Sequence, residues 1–360
     1  MFRILCLVLR VSASRCYTLA MSKENKEAVE KTIIVEHLVK NFEVTERKPG
    51  LAGSISSLFS PQKKIIRALK SISFSINKGE LVGFIGPNGA GKTTTLKVLS
   101  GLLFPTAGFI QVMGFDPWTR RPEFLKQISL IMGQKNQLWW DLPAIETLEL
   151  NRAIYEIPQN IYKESFDELV ELLEVKKFLN TPVRKLSLGQ RMRLELVAAL
   201  LHHPKVLFLD EPTIGLDVVA QQKVRDFIFE YNRKHSATIM LTSHNMDDLI
   251  DLAKRVIVID KGQILFDGNL KELVVQFAKE KIIKVYLSKE ADIKKLDEIG
   301  KIKRFDFPQA ILAVPREATA VAAAELLQNF PVADLTIEEE PIEEIIRRVF
   351  RGEVIKKKNG

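Results

Sequence analysis

The sequence has few cysteines and no long apolar run. Only two of its 360 residues are cysteines, and both lie in the first twenty, at Cys6 and Cys16. The rest of the chain can therefore form neither a disulfide nor a cysteine-ligated zinc site, which suits a reducing cytoplasm. Nowhere do about 18 or more apolar residues follow one another, so no transmembrane helix is predicted. If the protein serves a membrane, another chain must cross it.

The charge of the chain is positive and unevenly placed. Lys and Arg number 53 against 45 Asp and Glu, which gives a formal net charge of +8. Most of these charges are interleaved, but basic residues cluster at the two ends and near residues 47–67. Aromatic residues make up only 8% and form no nucleic-acid motif with these clusters, so we expect no nucleic-acid partner. A weak attraction to anionic lipid fits the clusters better.

The first 30 residues are predicted to lie outside the folded part of the chain. Residues 1–20 carry three arginines, several serines and no acid, a composition typical of organelle transit peptides. An upstream start codon is the alternative, in which Met21 opens the protein at a polar run. Both interpretations make residues 1–30 an N-terminal extension.

Apolar periodicity predicts a parallel sheet covered by helices. Short runs that are apolar on both faces are typical of buried parallel strands, and they occupy 81–85, 206–209, 238–242 and 256–259. Segments of helical period separate these runs, which implies crossover connections. Residues 143–185 are almost wholly helical in period and are predicted to form an inserted helical subdomain. Its predicted apolar face consists of Phe166, Leu169, Val170, Leu172, Leu173 and Phe178.

Two regions flank this sheet. Before it, the alternation of apolar and polar residues that predicts strands occurs at 33–42 and again at 68–76. The segment 45–64 between them is rich in Gly, Ser, Pro and Lys, which predicts an exposed loop.

After the sheet, the pattern of the sequence changes near residue 279. Strands are predicted at 282–287, 302–307, 310–314 and 333–337, and helices at 291–299, 316–329 and 341–350. We therefore expect a larger domain over 31–278 and a small α+β domain over 279–360.

A glycine-rich loop follows the first buried run. The sequence GPNGAGKT at 86–93 matches the phosphate-binding loop at every fixed position, and a helical run begins directly after it. Glycines let successive amide groups point at a phosphate, and the helix start adds positive potential. Lys92 would reach the β- and γ-phosphates, and the Thr93 hydroxyl would bind Mg²⁺. The predicted nucleotide contacts are Gly86, Pro87, Asn88, Gly89, Ala90, Gly91, Lys92, Thr93 and Thr94.

Two carboxylates end another buried run. Asp210 and Glu211 follow the apolar residues 206–209, at the carboxyl edge where α/β sheets hold their ligands. One carboxylate, Asp210, suffices for the shell of a magnesium ion. Glu211 is then placed to take a proton from an attacking water or to orient it, so the pattern predicts nucleotide hydrolysis.

A second anion site is predicted at the motif LSLGQ, residues 186–190. Ser187 at a helix start is ordinarily a cap, and here the cap also faces an anion. The motif resembles LSGGQ, the signature of the ABC ATPase family, and the resemblance covers roughly residues 31–270. Leu188 stands where the family usually has glycine, so the backbone there must avoid a positive φ or suffer strain. Ser187 and Gly189 remain as the implied phosphate contacts, and Gln190 is implied to belong to the same nucleotide-binding site.

The resemblance implies roles for four more residues. Gln134 corresponds to the glutamine that contacts Mg²⁺ and the attacking water, and Asp217 to the loop aspartate that crosses the dimer seam. His244 corresponds to the histidine that contacts the γ-phosphate. Phe42 stands where the family stacks an aromatic ring on adenine, although core packing is the alternative for this ring. The implied catalytic residues are Glu211, His244 and Gln134, and the implied metal ligands are Thr93, Gln134 and Asp210.

The resemblance also implies a fold, cofactors and partners. The fold is a P-loop NTPase core of the α/β class, with an antiparallel β subdomain, an inserted helical subdomain and the small C-terminal α+β domain. In the family each ATP, with Mg²⁺, lies between the phosphate loop of one subunit and the signature of the other. This chain carries one phosphate loop and one signature motif. The resemblance therefore implies that it forms a homodimer or pairs with a related ATPase subunit. The dimer would drive a separate ABC permease from the cytoplasmic face of the cell membrane.

A finer resemblance is to the ATPases of bacterial exporters for drugs, viologen-like cations or polysaccharides. It rests on the insertion between Phe42 and Ala68 and on the segment 134–143. In that segment Trp139 and Trp140 either anchor the permease or lie in the core of the helical subdomain. The alternative function is a soluble ABC ATPase acting on ribosomes or DNA. Such proteins usually join two ATPase cores or carry a long coiled-coil insertion, and this sequence has neither.

Overall fold

The computed structural model describes residues 30–46, 62–133, 135–243 and 246–350, and every structural statement below concerns these residues. The strands, in chain order, are β1 (Lys31–Glu46), β2 (Gln62–Asn77), β3 (Leu81–Ile85), β4 (Ala107–Val112), β5 (Ile128–Met132), β6 (Val206–Asp210), β7 (Thr238–Ser243), β8 (Arg255–Asp260), β9 (Gln263–Asn269), β10 (Glu280–Leu287), β11 (Lys301–Asp306), β12 (Gln309–Pro315) and β13 (Val332–Glu339). The α-helices are α1 (Lys92–Leu99), α2 (Pro122–Leu125), α3 (Ala144–Ile154), α4 (Gln159–Leu172), α5 (Leu188–Leu200), α6 (Val218–His235), α7 (Met246–Leu252), α8 (Leu270–Phe277), α9 (Ile293–Ile299), α10 (Thr319–Asn329) and α11 (Ile342–Phe350). In these ranges no helix combines the length and the apolar character needed to span a bilayer.

The main sheet confirms the predicted α/β class. Strands β5, β6, β7, β3 and β8 are parallel neighbours in that order, and β9 pairs antiparallel with β8 at the edge. Every residue of β3, β6 and β7 is buried, as expected of parallel strands covered on both faces. Parallel strands end at one edge, so the residues that follow β3, β6 and β7 meet there.

A second, antiparallel sheet has the strand order β2-β1-β4, as the resemblance implied. One hydrophobic core joins Ile33 and Leu38 of β1 to Phe84 and Phe208 of the main sheet. The antiparallel sheet therefore covers one face of the main sheet, and the helices that pack with α5 and α6 cover the other.

The hairpin between β1 and β2 is longer than the sequence predicts. Glu46 pairs with Gln62, so both ends of the predicted loop at 45–64 are strand, and that part of the prediction is wrong. Ile66 is 47% exposed, which shows that the backbone ladder continues past the edge of the core. Pairing without burial leaves no alternation of apolar and polar residues in the sequence. Residues 47–61 of the predicted loop lie outside the described residues.

The helical subdomain contains α3 and α4, and its later part is turns and short 3₁₀ segments rather than helix. Leu148 of α3 and Leu169 of α4 lie in the core that α5 shares with the main sheet. Leu172 is 49% exposed, so its place in the predicted apolar face is wrong. The helix ends at this residue, where the helical period no longer decides which side chains face the core.

The C-terminal region folds as a β-α-β-β-α-β unit with an antiparallel sheet in the order β11-β12-β10-β13. Its own core contains Val285, Leu296, Leu312 and Leu326, from β10, α9, β12 and α10. The predicted strands and helices of this region are all present, with bounds shifted by at most three residues. The boundary placed at residue 279 remains a prediction.

The last helix, α11, packs away from this small sheet. Its Ile345, Ile346 and Val349 are at most 1% exposed and belong to the core of the larger domain, together with Leu273 and Phe277 of α8. The helix is therefore held by α8 rather than by the strands that precede it in the chain.

Candidate functional site

The predicted phosphate loop wraps closely on itself. Gly89 and Gly91 adopt φ angles of 79° and 114°, a region that glycine enters without steric cost. Gly86 has no room for a side chain, because a Cβ there would lie 2.3 Å from the carbonyl oxygen of Ile259. Lys92 begins α1, and its Nζ donates a hydrogen bond of 2.5 Å to the carbonyl oxygen of Gly86. The loop thus encloses the ammonium group of its own lysine.

Two carboxylates face the loop from the end of β6. Asp210 accepts hydrogen bonds of 2.7 Å from the hydroxyl groups of Thr93 and Thr242, one on each carboxylate oxygen. Lys92 Nζ lies 3.9 Å from Glu211 Oε1. Burial lowers the pKa of Lys92, and the carboxylates of Glu211 and Asp210 oppose that shift. The sheet therefore brings together groups that are 117 positions apart in the chain.

A cavity of about 460 Å³ opens between the loop and the acidic pair. The predicted residues that line it are Pro87, Asn88, Gly89, Gly91, Lys92, Thr93, Thr94, Asp210 and Glu211. Gly86 and Ala90 belong to the loop but do not line the cavity. The structure thus gathers most of the predicted phosphate contacts around one space.

Sequence analysis missed two cations of this cavity, Lys97 and Lys135. Lys97 lies one helical turn after Thr93 on α1, and this spacing could have identified it. Lys135 directly follows Gln134. Ala68, Met132, Gly133 and Ile214 complete the lining.

Thr93 and Asp210 present neighbouring oxygen atoms that could hold a cation. A hydroxyl group and a carboxylate are hard donors of the kind that Mg²⁺ prefers. Within the described ranges no three His, Cys, Asp or Glu side chains are grouped so that they could hold a metal by themselves. A cation at this pair would therefore need phosphate oxygens and water to complete its shell, as Mg²⁺ usually does.

The signature motif forms a helix start with a capping box. Ser187 Oγ accepts a hydrogen bond from the backbone amide of Gln190, and Gln190 Oε1 accepts one from the amide of Ser187. Leu188 is the first residue of α5 and has no positive φ, so the leucine in place of the family's glycine is free of strain there. Ser187, Gly189 and Gln190 do not line the cavity around Lys92.

Asp217 lies beside the signature in the same chain. It caps α6 by accepting a hydrogen bond of 2.9 Å from the amide of Ala220. A Cβ on Gly189 would lie 3.0 Å from that of Ala220, so the starts of α5 and α6 are in contact. Val218 and Val219, which follow Asp217, are 76% and 67% exposed.

Phe42 is not brought into the cavity. Its ring is half-buried on β1, opposite Ile66, and Lys40 Nζ lies 5.0 Å from the ring centroid. Ala68, two residues beyond Ile66, does line the cavity. The assignment of Phe42 to adenine remains a prediction.

Gln134 and His244 lie outside the described residues. Their neighbours indicate only where the two chain segments run. The amide of Gly133 donates a hydrogen bond of 2.9 Å to the carbonyl oxygen of Asp210, and Ser243 is the last residue of β7. The roles given to Gln134 and His244 remain predictions.

Trp139 and Trp140 are exposed by 56% and 48%, so the interpretation that places them in a core is wrong. The buried residue of this segment is Leu138, at 3% exposure. The Trp140 ring instead lies near a cation, with the guanidinium of Arg191 at 5.8 Å from its centroid.

Solved structures share this fold. An ATP-binding subunit of an ABC transporter superposes with a TM-score of 0.57 at 24% identity, over 68% of this chain and 93% of that chain. An ATP-binding cassette in a dimeric, post-hydrolysis state bound to ADP and Pi superposes with a TM-score of 0.55 at 23% identity, over 66% of this chain and 98% of that chain. At these identities the likeness concerns the fold alone.

Sequence comparison gives the family. Residues 69–214 match the family described as ABC transporter, and residues 279–338 match the EvrA-like ABC transporter, C-terminal domain. The chain is 32% identical over 234 residues to the ABC transporter ATP-binding protein NatA of Bacillus subtilis, covering 65% of this chain and 95% of that protein. It is also 32% identical over 247 residues to the bacitracin transport ATP-binding protein BcrA of Bacillus licheniformis, covering 66% of this chain and 78% of that protein. Because NatA is matched over nearly its whole length, this chain belongs to the ABC transporter ATP-binding proteins and is an ATP hydrolase.

Proposed function

We propose that two copies of this chain, or one copy and a related ATPase, close around two ATP molecules and drive a separate membrane permease. One observation carries the proposal: Ser187 lies at an exposed helix start that does not line the cavity around Lys92. A chain with one phosphate cavity and a separate exposed anion site is complementary to a second chain of the same kind. The exposed Val218 and Val219 beside Asp217 supply apolar surface for such a seam.

In each composite site the two chains divide the binding of the phosphates. Lys92 and the amides of its loop would hold the β- and γ-phosphates from one side, and Ser187 and Gly189 of the second chain would hold them from the other. Asp217 would cross the seam, and Phe42 would stack on adenine. ATP then favours the closed dimer, and hydrolysis removes that preference.

The hydrolytic step uses the groups at the ends of β6 and β7. Glu211 orients the attacking water and takes its proton, while His244 contacts the γ-phosphate. Mg²⁺, which Thr93, Asp210 and Gln134 would hold, supplies neutralising charge between the phosphates.

The permease is proposed to bind an apolar groove whose lining includes Gln137, two residues before the exposed Trp139. The groove has a volume of about 500 Å³ and is lined by Leu102, Leu125 and Ile154, which are 50%, 39% and 60% exposed. Exposed apolar surface of this kind marks interaction sites. Trp139 and Trp140 extend the same partner surface, and the chain would be peripheral at the cytoplasmic face of the cell membrane.

We assign export as the direction of transport. The support is the resemblance of the hairpin insertion and of the segment 134–143 to exporter ATPases, and the relative named for bacitracin transport. ATP-dependent uptake into inverted membrane vesicles tests the direction. The alternative of a soluble ABC ATPase has no support: the longest described helix is α6, with 18 residues, which is too short for a coiled-coil insertion.

The composite site is tested with Glu211→Gln, which keeps the shape of the side chain and removes its proton acceptor. We expect ATP hydrolysis to fall about 10²-fold or more, the usual scale for loss of general base help. ATP should still bind, so the variant should elute from size-exclusion chromatography as an ATP-bound dimer.

A second variant separates hydrolysis from association. Ser187→Arg, added to Glu211→Gln, places bulk and charge at the phosphate contact across the seam and should return the dimer to monomers. A Glu211→Gln protein that stays monomeric with ATP and hydrolyses it at the wild-type rate would contradict both the proposed base and the composite site.

A further inference from the structure

The backbone at Glu211 has an unusual conformation. Its φ of 55° lies in the left-handed region, which a side chain other than glycine enters at a cost of about 1 kcal/mol or more. Such a conformation persists only where the surroundings fix it. Glu211 is the residue to which we assign the attacking water, so whatever fixes its backbone also directs its carboxylate.

One set of contacts comes from β7. The amide of Glu211 donates hydrogen bonds to the carbonyl oxygen of Thr242 at 3.0 Å and to its hydroxyl oxygen at 3.2 Å. The same hydroxyl donates to Asp210 at 2.7 Å. Thr242 thus holds both residues of the acidic pair from the neighbouring strand.

A second set comes from a buried carboxylate on α7. Asp248 is 1% exposed, and its Oδ2 accepts hydrogen bonds from Thr213 Oγ1 at 2.5 Å and from Ser243 Oγ at 2.8 Å. Its Oδ1 accepts one of 2.8 Å from Arg225 Nη1 on α6. Arg225 is itself buried, so its charge needs this partner.

Through these contacts the carboxylate of Asp248 holds three segments of the site together. Thr213 lies two residues after Glu211, Ser243 precedes His244, and Arg225 belongs to the helix that begins after Asp217. Successive residues of a strand point to opposite faces, so Thr242 and Ser243 direct their hydroxyl groups to two different carboxylates. The turn that carries Glu211 is thereby fixed from both faces of the sheet edge.

We propose that Asp248 is a positioning residue for ATP hydrolysis, which acts on Glu211 through the hydroxyl of Thr213. Neither Asp248 nor Thr213 lines the cavity around Lys92, so neither touches the nucleotide there. The proposal rests on the role that we propose for Glu211. It predicts that the link from Asp248 to Thr213 sets the rate of hydrolysis while leaving the affinity for ATP unchanged.

The experiment removes the link while leaving the buried ion pair of Asp248 and Arg225 in place. Thr213→Val deletes the hydroxyl group at nearly constant volume, and Thr213→Ser retains it. We expect kcat of the valine variant to fall about tenfold or more, because small displacements of a reacting group cost rates of that order. KM for ATP should stay within about twofold, and the serine variant should behave as wild type.

Thr238→Val is the matched control. Thr238 is 1% exposed at the opposite end of β7, and its hydroxyl accepts a hydrogen bond of 3.0 Å from the amide of Gly79. Like Thr213→Val, this variant therefore loses a buried threonine hydroxyl group, but it does so at a distance from the site. Melting temperatures of both valine variants show whether their losses of stability are similar. Equal kcat values for the two folded variants would overturn the proposal.

Two further variants separate the proposal from its premise. If the link acts as stated, Thr213→Val should have little additional effect on kcat in an Asp248→Asn background, and additive effects would overturn it. Should Asp248→Asn fail to fold, the kcat values of Thr213→Val, Thr213→Ser and Thr238→Val still test the proposal. A Glu211→Gln variant that hydrolyses ATP at the wild-type rate would instead remove the proposed base, and the inference with it.

Discussion

The carboxylate of Glu195 accepts a bifurcated hydrogen bond from the backbone amide of Gln137, which lies 2.9 and 3.0 Å from its two oxygens. A second hydrogen bond, of 3.3 Å, comes from the amide of Leu138. Glu195 is 3% exposed on α5, the helix that begins after Ser187, whereas Gln137 lies three residues after Gln134. One buried side chain therefore joins the signature helix to the segment that we propose contacts Mg²⁺ and the permease.

Removal of this carboxylate should destabilise the fold. Glu195→Ala leaves two backbone amides without their acceptor, which costs about 1–3 kcal/mol in the free energy of unfolding. Glu195→Gln keeps one acceptor oxygen and should lose less. Urea denaturation at neutral pH measures both. An alanine variant as stable as the glutamine variant would show that the amides find another partner.

The same residue gives stability a pH dependence. Burial raises the pKa of Glu195 above its ordinary value of 4.5, and the hydrogen bonds from Gln137 and Leu138 oppose that shift. The folded state thus binds this proton more tightly than the unfolded state, so the stability it contributes is complete below pH 4.5 and declines as the pH rises through the folded pKa.

Glu195→Gln cannot titrate and serves as the reference. The free energy of unfolding of wild type minus that of the glutamine variant should fall as the pH rises above 4.5 and then level off. Denaturant titrations at a series of pH values give this difference directly. A difference that increases with pH would mean that the hydrogen bonds outweigh burial.

Stability of the larger domain should depend on α11. A chain that ends at residue 278 should still bind ATP, since every nucleotide motif precedes that point. It loses, however, the burial of Ile345, Ile346 and Val349 against α8, where each side chain contributes about 1.5–3 kcal/mol. We expect a clearly lowered melting temperature.

The small sheet allows a matched deletion. Lys281 pairs with Glu339, so the two ends of the β-α-β-β-α-β unit are neighbours and a short Gly-Ser linker can replace residues 280–339. This variant keeps α11 on α8 and should melt closer to wild type than the chain that ends at residue 278. Loss of ATP binding in either variant, once shown to be folded, would place nucleotide contacts in the C-terminal region.

The exposed tryptophans should matter for the partner and not for the fold. Trp139→Ala and Trp140→Ala should change the free energy of unfolding by less than about 0.5 kcal/mol, as surface substitutions do. Leu138→Ala, in the same segment but buried, should cost about 2–5 kcal/mol. Both tryptophan variants should remain stable, and in both of them the stimulation of ATP hydrolysis by membranes that contain the permease should fall. Unchanged stimulation would remove these rings from the partner surface.

The sequence allowed prediction of those parts of the site that depend on local chain geometry. The loop around Lys92 and the acidic pair were predictable because each follows a run apolar on both faces, which indicates a buried parallel strand. Asp248 was not predictable, since it is one of three aspartates within five residues and nothing in the sequence marks it as the buried partner of Thr213. Glu195 did have a signal, because it stands between the buried Leu194 and Leu196 in a helix that is apolar on several sides.

The fold was predictable to a similar extent. The hydrophobic periodicity and the composition of the sequence indicated the helical subdomain and the C-terminal unit. They did not indicate which elements each of these packs against. The stripe Ile345, Ile346 and Val349 predicted an amphipathic helix correctly, and its contact with α8 depends on distant residues that periodicity does not specify. The extension of β1 and β2 was missed for the opposite reason, because backbone pairing alone holds those ends together.

The packing of α11 on α8 means that the small C-terminal unit is attached at two neighbouring points instead of one. A domain on a single linker can rotate freely and transmits little force to its neighbour. A domain that is attached at both ends rotates freely only about the line that joins its two attachment points. Rocking about that line leaves both attachments in place, whereas a ligand or partner that turns the unit across that line would push α8 and α11 in opposite directions. Such a turn would reach the ATPase as a shear between two helices of its core.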